Sequence, residues 1–291
     1  FVSEMYAYFS KVASRNKDAW TDSALNANEI KNITKKNSLQ AFPYNKYHCT
    51  SWNVNQSAAI IVCSEKIADD LDIPQEKRVY PLASSENNHM IGTLQRPKLY
   101  EQHGMQLAAK YILDVCQKLK IEPNFYDLYS CFPVAVQMFA ETLNLNDYKK
   151  FTITGGMSFA GGPLNSYVLH SLAKMVSKIR KTKDSSGIVT GVSGMMTKQS
   201  YALLSSNPLM NFTHKDFTDF AAKKEKPVEI SSLIDGTGIV IGYTILNKTE
   251  ENYKAVIFID CSDNKRKLIT SDDMSIIKSM ENKEWIGKKV Y

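Results

Sequence analysis

Two stretches constrain the fold most: Tyr126-Asp127-Leu128-Tyr129-Ser130-Cys131-Phe132-Pro133 and Thr154-Gly155-Gly156-Met157-Ser158-Phe159-Ala160-Gly161-Gly162-Pro163-Leu164-Asn165-Ser166-Tyr167. Each reads as strand, tight turn, helix. In the first, an alternating apolar strand ends at Ser130, an N-cap residue type, and Pro133 stands where the first helical turn tolerates a missing N–H. That places Cys131 at a helix N-terminus, where aligned peptide dipoles favour the thiolate and should lower the thiol pKa. In the second, paired glycines permit close approach of the backbone, and Pro163 is expected to open a helix whose free N–H groups can receive an anion or an oxyanion. A plainer reading stands beside each: Cys131 as a small apolar residue in packing, the glycines as the makings of a tight turn.

Strands and helices nearly alternate around these units. Apolar runs predict strands at Ser57–Ser64, Arg78–Leu82, Phe125–Ser130, Phe151–Thr154, Gly187–Val192 and Ser200–Ser205, the first continuous enough to be buried on both faces. Helical spacing appears at Met5, Tyr6, Phe9, Val12 and Ala13, and predicts helices over Glu101–Lys120, Pro133–Leu143 and Leu164–Lys181. This alternation implies a sheet with helices packed over it. Residues 207–227 are polar and lysine-rich, bounded by Pro208 and Pro227, and read as a linker with one helix around Phe217–Ala222. Beyond them come β runs at Gly238–Leu246, Tyr253–Cys261 and Lys267–Thr270, and a short helix opened by Asp272-Asp273. The core of this last module is expected to hold Val240, Tyr243, Val256, Phe258, Ile276 and Trp285.

Length and charge narrow the classes. At 291 residues the natural count is two domains. No apolar run reaches the roughly 20 residues that cross a bilayer, so no membrane association is expected. The cysteines (Cys49, Cys63, Cys116, Cys131, Cys261) form no Cys-x-x-Cys pair, which fits a reduced, cytoplasmic protein. His48-Cys49 has no second ligand at metal spacing, so no metal is expected. Net charge is +6, yet residues 223–291 carry 12 Lys and Arg against 11 Asp and Glu, which disfavours a nucleic-acid face on the C-terminal module. Lys174, Lys178 and Lys181 form a basic helix edge, read as a solvated face or as a contact for phosphates.

At Tyr129-Ser130-Cys131-Phe132 and at the double-glycine turn, the chain resembles the thiolase superfamily, and most closely the thiolase-like proteins of type 1, relatives of the sterol-carrier-type thiolases. Ala41-Phe42-Pro43-Tyr44-Asn45-Lys46 and the run Val54 to Ser64 resemble the segment that leads into the last strand of their first domain. The resemblance implies a layered α/β fold with a mixed five-stranded sheet. Residues 1–76 would be a remnant of the loop region and last strand of the N-terminal thiolase domain, 77–206 the thiolase-like C-terminal domain, 207–227 a linker, and 228–291 an additional β-rich module of OB-like barrel form. It also implies that an N-terminal thiolase half, carrying the nucleophilic cysteine, belongs upstream of Phe1.

What the resemblance implies for function is a thiolase-type acyl-CoA acyltransferase, acetyl-CoA acetyltransferase-like, of fatty acid metabolism, with acyl-CoA as substrate and no tightly bound cofactor. Its catalytic residue here would be Cys131, with Ser130, Gly161, Gly162, Pro163 and Asn165 lining the substrate. Three departures matter. Tyr129 and Ser130 replace the His and Asp of a His-Asp-Cys-Phe motif, Gly162 stands where active thiolases carry the histidine of Gly-His-Pro, and Val192 stands where a second catalytic cysteine is usual. Losing a general acid/base is typically worth roughly 10²–10⁴-fold in rate. The chain alone is therefore expected to have no turnover, and the alternative is a degenerate, non-catalytic acyl-CoA-binding or protein-interaction scaffold.

Overall fold

The computed structural model describes residues 1–232, 236–249 and 252–290. Eleven strands and eight α-helices are assigned among them. The strands are β1 (Leu39–Ala41), β2 (Tyr44–Asn45), β3 (Tyr80–Asn87), β4 (Phe125–Asp127), β5 (Ser186–Ser193), β6 (Lys198–Ser205), β7 (Thr213–Asp216), β8 (Gly238–Thr249), β9 (Asn252–Cys261), β10 (Arg266–Ser271) and β11 (Lys289–Val290). The helices are α1 (Val2–Ala13), α2 (Ala27–Lys31), α3 (Glu65–Asp70), α4 (His103–Leu119), α5 (Pro133–Thr142), α6 (Tyr167–Ile179), α7 (Thr218–Lys224) and α8 (Met274–Asn282).

The expected mixed five-stranded sheet is present, in the order β4-β5-β6-β3-β7. β4 runs parallel to β5, β7 parallel to β3, and the central pairs are antiparallel. Alternation along β5 sends Ile188 to one face and Val189 to the other, and each meets a different helix. Ile188 joins the core built with Met105, Ala108 and Ile112 of α4, while Val189 packs with Met175 and Ile179 of α6. Both stripes were legible from their helical spacing. Residues 207–227, expected as a linker, contribute the edge strand β7 and the helix α7. A sheet needs that strand more than the polar sequence suggests, because its backbone pairs the far side of β3 from Ala83↔Thr213 to Glu86↔Asp216.

Two expected strands are absent, and a third is present with its inward face other than expected. Residues 57–64 are extended but belong to no ladder among the described residues, and Ile61 and Val62 are 93% and 85% exposed rather than buried on both faces. An apolar run forms a strand only where another strand takes up its N–H and C=O groups, and none among the described residues pairs with this one. Residues 151–154 form no strand: the Phe151 N–H goes to the Tyr148 carbonyl, and those of Ile153 and Thr154 are taken by the side chain of Asp127. The third is β9: Ala255, Ile257 and Ile259 are buried, whereas Val256 and Phe258, expected in the core, lie on the half-buried face. Lys254 and Asp260 share the face of Val256 and Phe258, so the alternation itself marks that face as the outer one.

The C-terminal module is an open antiparallel sheet, not an OB-like barrel. Its order is β10-β9-β8-β1-β2, with β11 pairing the start of β8 on the same edge as β1, and no ladder among the described residues closes it. β1 and β2 come from the N-terminal region, and Ala41 pairs with Leu246. Helix α8, capped by Asp273 accepting from the Ser275 N–H, seals the buried face with Ile277 and Met280 against Trp285. No described helix is long and apolar enough to cross a membrane.

Candidate functional site

Asp127, at the end of β4, organises the centre of the molecule. Its carboxylate is fully buried and has only neutral hydrogen-bond donors. Oδ1 accepts from the Thr152 hydroxyl (2.8 Å), the Ile153 N–H (2.9 Å), and the Thr154 N–H and hydroxyl (both 3.1 Å). Oδ2 accepts from the Tyr167 hydroxyl (3.0 Å) and the Ser171 hydroxyl (2.6 Å) on α6. A carboxylate satisfied on both oxygens can stay buried, and it binds β4, the turn before the glycines and α6 into one unit. The sequence reading passed over this residue; a lone acidic residue inside an apolar strand was the available signal.

Ser130 follows on the same loop. It does not cap helix α5, whose N-cap is Phe132 with Pro133 at the first turn. Its buried hydroxyl instead accepts from the Met157 N–H at 2.9 Å and so fastens the Cys131 loop to the glycine loop. The reason is geometric: three residues before Pro133 the chain still runs extended, out of reach of the helix's free N–H groups.

The glycines admit the chain's own N-terminal segment. Gly155 and Gly156 have φ of +109° and +74°, and a β-carbon on them would lie 2.5 Å from Ala13 and 2.6 Å from the Phe9 ring of α1. Gly161 has φ of +98°, and the side chain of Gln56 fills the space over it. Gly162 lies under Thr50 and Met157, and donates its N–H to the Ser51 carbonyl at 2.9 Å. Pro163 does not open a helix: α6 begins four residues later, with Ser166 as N-cap accepting no side-chain bond and donating its hydroxyl to the Pro163 carbonyl. A left-handed Leu164 (φ +44°) turns the chain first. Asn165 is exposed.

Thr50 connects the two candidate loops. Its hydroxyl donates to the Cys131 carbonyl at 3.3 Å while its methyl covers Gly162. Cys131 is half-buried, with Phe132 stacked on Tyr44 beside it. Burial pushes its thiol pKa up from 9.0 to about 11, and the Phe132 N–H, which favours the thiolate, offsets only part of that. The expected lowering is therefore reversed: desolvation outweighs the helix terminus. Val192 lies at the end of β5, in a hairpin closed through Gly194, and packs against the α4 side of the core.

A cleft of about 440 Å³ lies on the other side of Gly161, lined by Gln56, Thr154, Tyr167, His170 and Lys174 among others. Cys131 is not in its lining. Lys174, expected at a solvated edge, is half-buried here and bonded to the Asn16 carbonyl oxygen of the side chain, with Asp18 at 3.6 Å. Burial lowers its pKa, against the opposing pull of Asp18. Among the described residues no group of three His, Cys, Asp or Glu side chains is arranged to hold a metal ion.

No protein-family model and no curated protein matches the chain by sequence. Among solved structures it superposes on a monomeric SCP2-thiolase-like protein type 1 from Mycobacterium smegmatis with a TM-score of 0.88 and 26% identity, over 99% of this chain and 64% of that one. Lower similarity is found to the dimeric peroxisomal thiolase of Saccharomyces cerevisiae (TM-score 0.47, 14% identity, 71% and 55% of the two chains) and to human mitochondrial 3-ketoacyl-CoA thiolase (0.38, 15%, 50% and 34%). The near-complete superposition, together with the Tyr-Ser-Cys-Phe and double-glycine loops, places the chain in the thiolase superfamily. It spans 64% of the length of the type 1 relative.

Proposed function

We propose that this chain is the C-terminal portion of a thiolase-type acyl-CoA acyltransferase, without turnover on its own. The observation that carries the reading is the meeting of the Cys131 loop with the Gly161-Gly162 loop through Thr50, on a backbone with a TM-score of 0.88 to a type 1 protein. Acyl-CoA would be the substrate, with no tightly bound cofactor, and Cys131 would face the acyl group beside Ser130, Gly161, Gly162, Pro163 and Asn165. Five free cysteines fit a reducing, cytoplasmic setting.

The natural partner in this reading is the N-terminal half of a thiolase fold. Residues 57–63 support it: an extended run with Ile61 and Val62 in solvent has the unpaired backbone and exposed apolar surface that an adjoining strand would cover. A thiolysis assay on the chain with and without such a half tests the proposal. Activity is expected only in the combined protein, and turnover by the chain alone would overturn it.

A second reading, a non-catalytic acyl-CoA binder, is favoured by the burial of Cys131, which pushes its thiol up to about 11 and keeps it protonated near pH 7, where an acid/base group in the site needs a value near the working pH. Coenzyme A binding without acyl transfer in the combined protein, with Cys131 intact, would decide for it.

A further inference from the structure

Away from both loops, the structure buries an arginine without an anion bonded to it. Arg96 is 5% exposed, and its Nε and Nη2 have no hydrogen-bond partner among the described residues. A guanidinium does not shed its proton, so the charge is buried with it and is costly there unless something pairs it. The Nε hydrogen and one Nη2 hydrogen point the same way, and together they make an edge that grips two oxygens of one anion. The acid that bears on Arg96 is Glu225, yet neither nitrogen bonds its carboxylate.

Glu225 is held elsewhere. It follows the last turn of α7, and its Oε1 accepts the His103 N–H, the first of α4, at 2.5 Å. Helix α4 is 17 residues long and its N-cap, Gln102, makes no side-chain capping bond, so this carboxylate serves as the cap of a helix end that attracts negative charge. The backbone carries Arg96 to the same place. The Gln95 carbonyl accepts the Val228 N–H at 2.8 Å, and His89 Nε2 lies 3.0 Å from the Glu225 carbonyl oxygen. The Arg266 guanidinium donates to the carbonyls of Leu94 and Arg96 and fixes the turn between them. Glu225 is half-buried, and Lys223, Lys224 and Lys226, beside it in sequence, are exposed. One carboxylate thus faces two groups that seek an anion, and bonds only one of them.

We infer that Arg96 and the N-terminus of α4 form a binding site for a small, doubly charged oxyanion of the phosphate type, with Glu225 as its built-in competitor. Phosphate carries oxygens in four directions and can meet the Arg96 edge and the His103 N–H together, whereas Glu225, tethered to α7, meets only the second. The room the anion needs is what the Glu225 carboxylate now fills. With Glu225 turned to solvent, its like charge leaves the site and the neighbouring lysines draw the anion in. None of these residues belongs to the loops around Cys131 and Gly161, and the inference stands apart from the acyl-CoA reading.

Titration with inorganic phosphate at constant ionic strength, followed by the backbone amide resonances of isotope-labelled protein, tests the site. The His103 and Gly104 amides should shift along one saturating curve. Glu225→Gln, which removes the competing charge, should tighten binding by about tenfold, a gain that damage to the fold cannot produce. Arg96→Met should abolish binding, and Arg96→Lys, which keeps the charge without the two-pronged edge, should bind more weakly than the unaltered chain. Glycerol 3-phosphate in place of inorganic phosphate distinguishes a carried phosphate from a free one: tighter binding of the ester assigns the site to a phosphorylated molecule, weaker binding to the free ion, and both uphold it. No saturable shift in Glu225→Gln overturns the site, and affinity no greater than that of the unaltered chain overturns the competition. Unchanged affinity in Arg96→Met overturns it as well, because the surface lysines alone would then account for the binding.

Discussion

Thr50 sits on Gly162: a β-carbon at position 162 would come within 2.6 Å of the Thr50 Cγ2 and 2.8 Å of the Met157 Cε. Gly162, where the resemblance implies the histidine of active thiolases, is closed over by the chain's own loop. Gly162→Ala should therefore destabilise by about 1–3 kcal/mol through overpacking. Thr50→Ser, which deletes the offending methyl, should recover much of the loss in the double variant. Urea unfolding of the four proteins of this cycle checks it, and strict additivity would show that the two residues do not compete for the space.

Asp127 offers a sharper case. Asp127→Asn puts an NH₂ group where hydroxyl donors now converge, and should cost about 2–4 kcal/mol, since hydrogen bonds to a charged group are worth more than neutral ones and their loss is felt in the interior. Because Oδ1 accepts the N–H groups of Ile153 and Thr154, the latter shared with the Thr152 hydroxyl, the amides of residues 153–157 should lose hydrogen-exchange protection ahead of the rest of the sheet. Uniform loss across the protein would mean that Asp127 is a general packing residue.

The thiols set an alkaline limit. Burial raises the pKa of Cys49, Cys116 and Cys131 from 9.0 to about 11 in each case. A thiol raised on folding contributes stability that is complete below its unfolded pKa, near 9, and lost as pH climbs through the folded value. Thermal melts should thus fall between pH 9 and pH 11. Iodoacetamide should label Cys131 about a hundredfold more slowly at pH 8 than an ordinary thiol, with half-maximal rate near pH 11; a midpoint below pH 9 would contradict the burial account.

Solvent-facing Ile61 and Val62 predict self-association of the chain by itself. Ile61→Lys should reduce it, by size-exclusion chromatography with light scattering, while moving stability by no more than about 0.5 kcal/mol, as surface changes do. A large loss of stability would mean that the side chain is packed after all.

Helices and their buried faces were open to reading because 3.6-residue spacing survives without knowledge of neighbours: α4 buries Met105, Ala108, Ile112, Val115 and Cys116 as its spacing marks, while of the α6 stripe Val168, Leu172, Met175, Val176 and Ile179 only Met175 and Ile179 are fully buried, beside Tyr167 and Ser171. Apart from the phase of β9, the strand readings that failed depended on a partner that a local window cannot display. Ile60 to Val62 has the composition of an inner strand but no neighbour, and β7 has a polar composition but a strand to lean on. In β9 the cue was local: Lys254 and Asp260 flank Val256 and Phe258 on one face, and α8 packs on the other, over Ile257. In the candidate site, the loops around Cys131 and Gly161 were visible as motifs. Thr50 and Asp127, which determine what those loops do, were not, because each acts from far away in sequence on a backbone group or a void.

The attachment of β1 to β8 through Ala41 and Leu246, with Phe42 donating its N–H to the Ile245 carbonyl, makes the two ends of the polypeptide answer for one another. A nick or insertion near residue 45 would loosen the loop that covers Gly162 and fray the terminal sheet in the same event. Evolution could not trade this C-terminal appendage for another without also rewriting the loop that covers the cysteine.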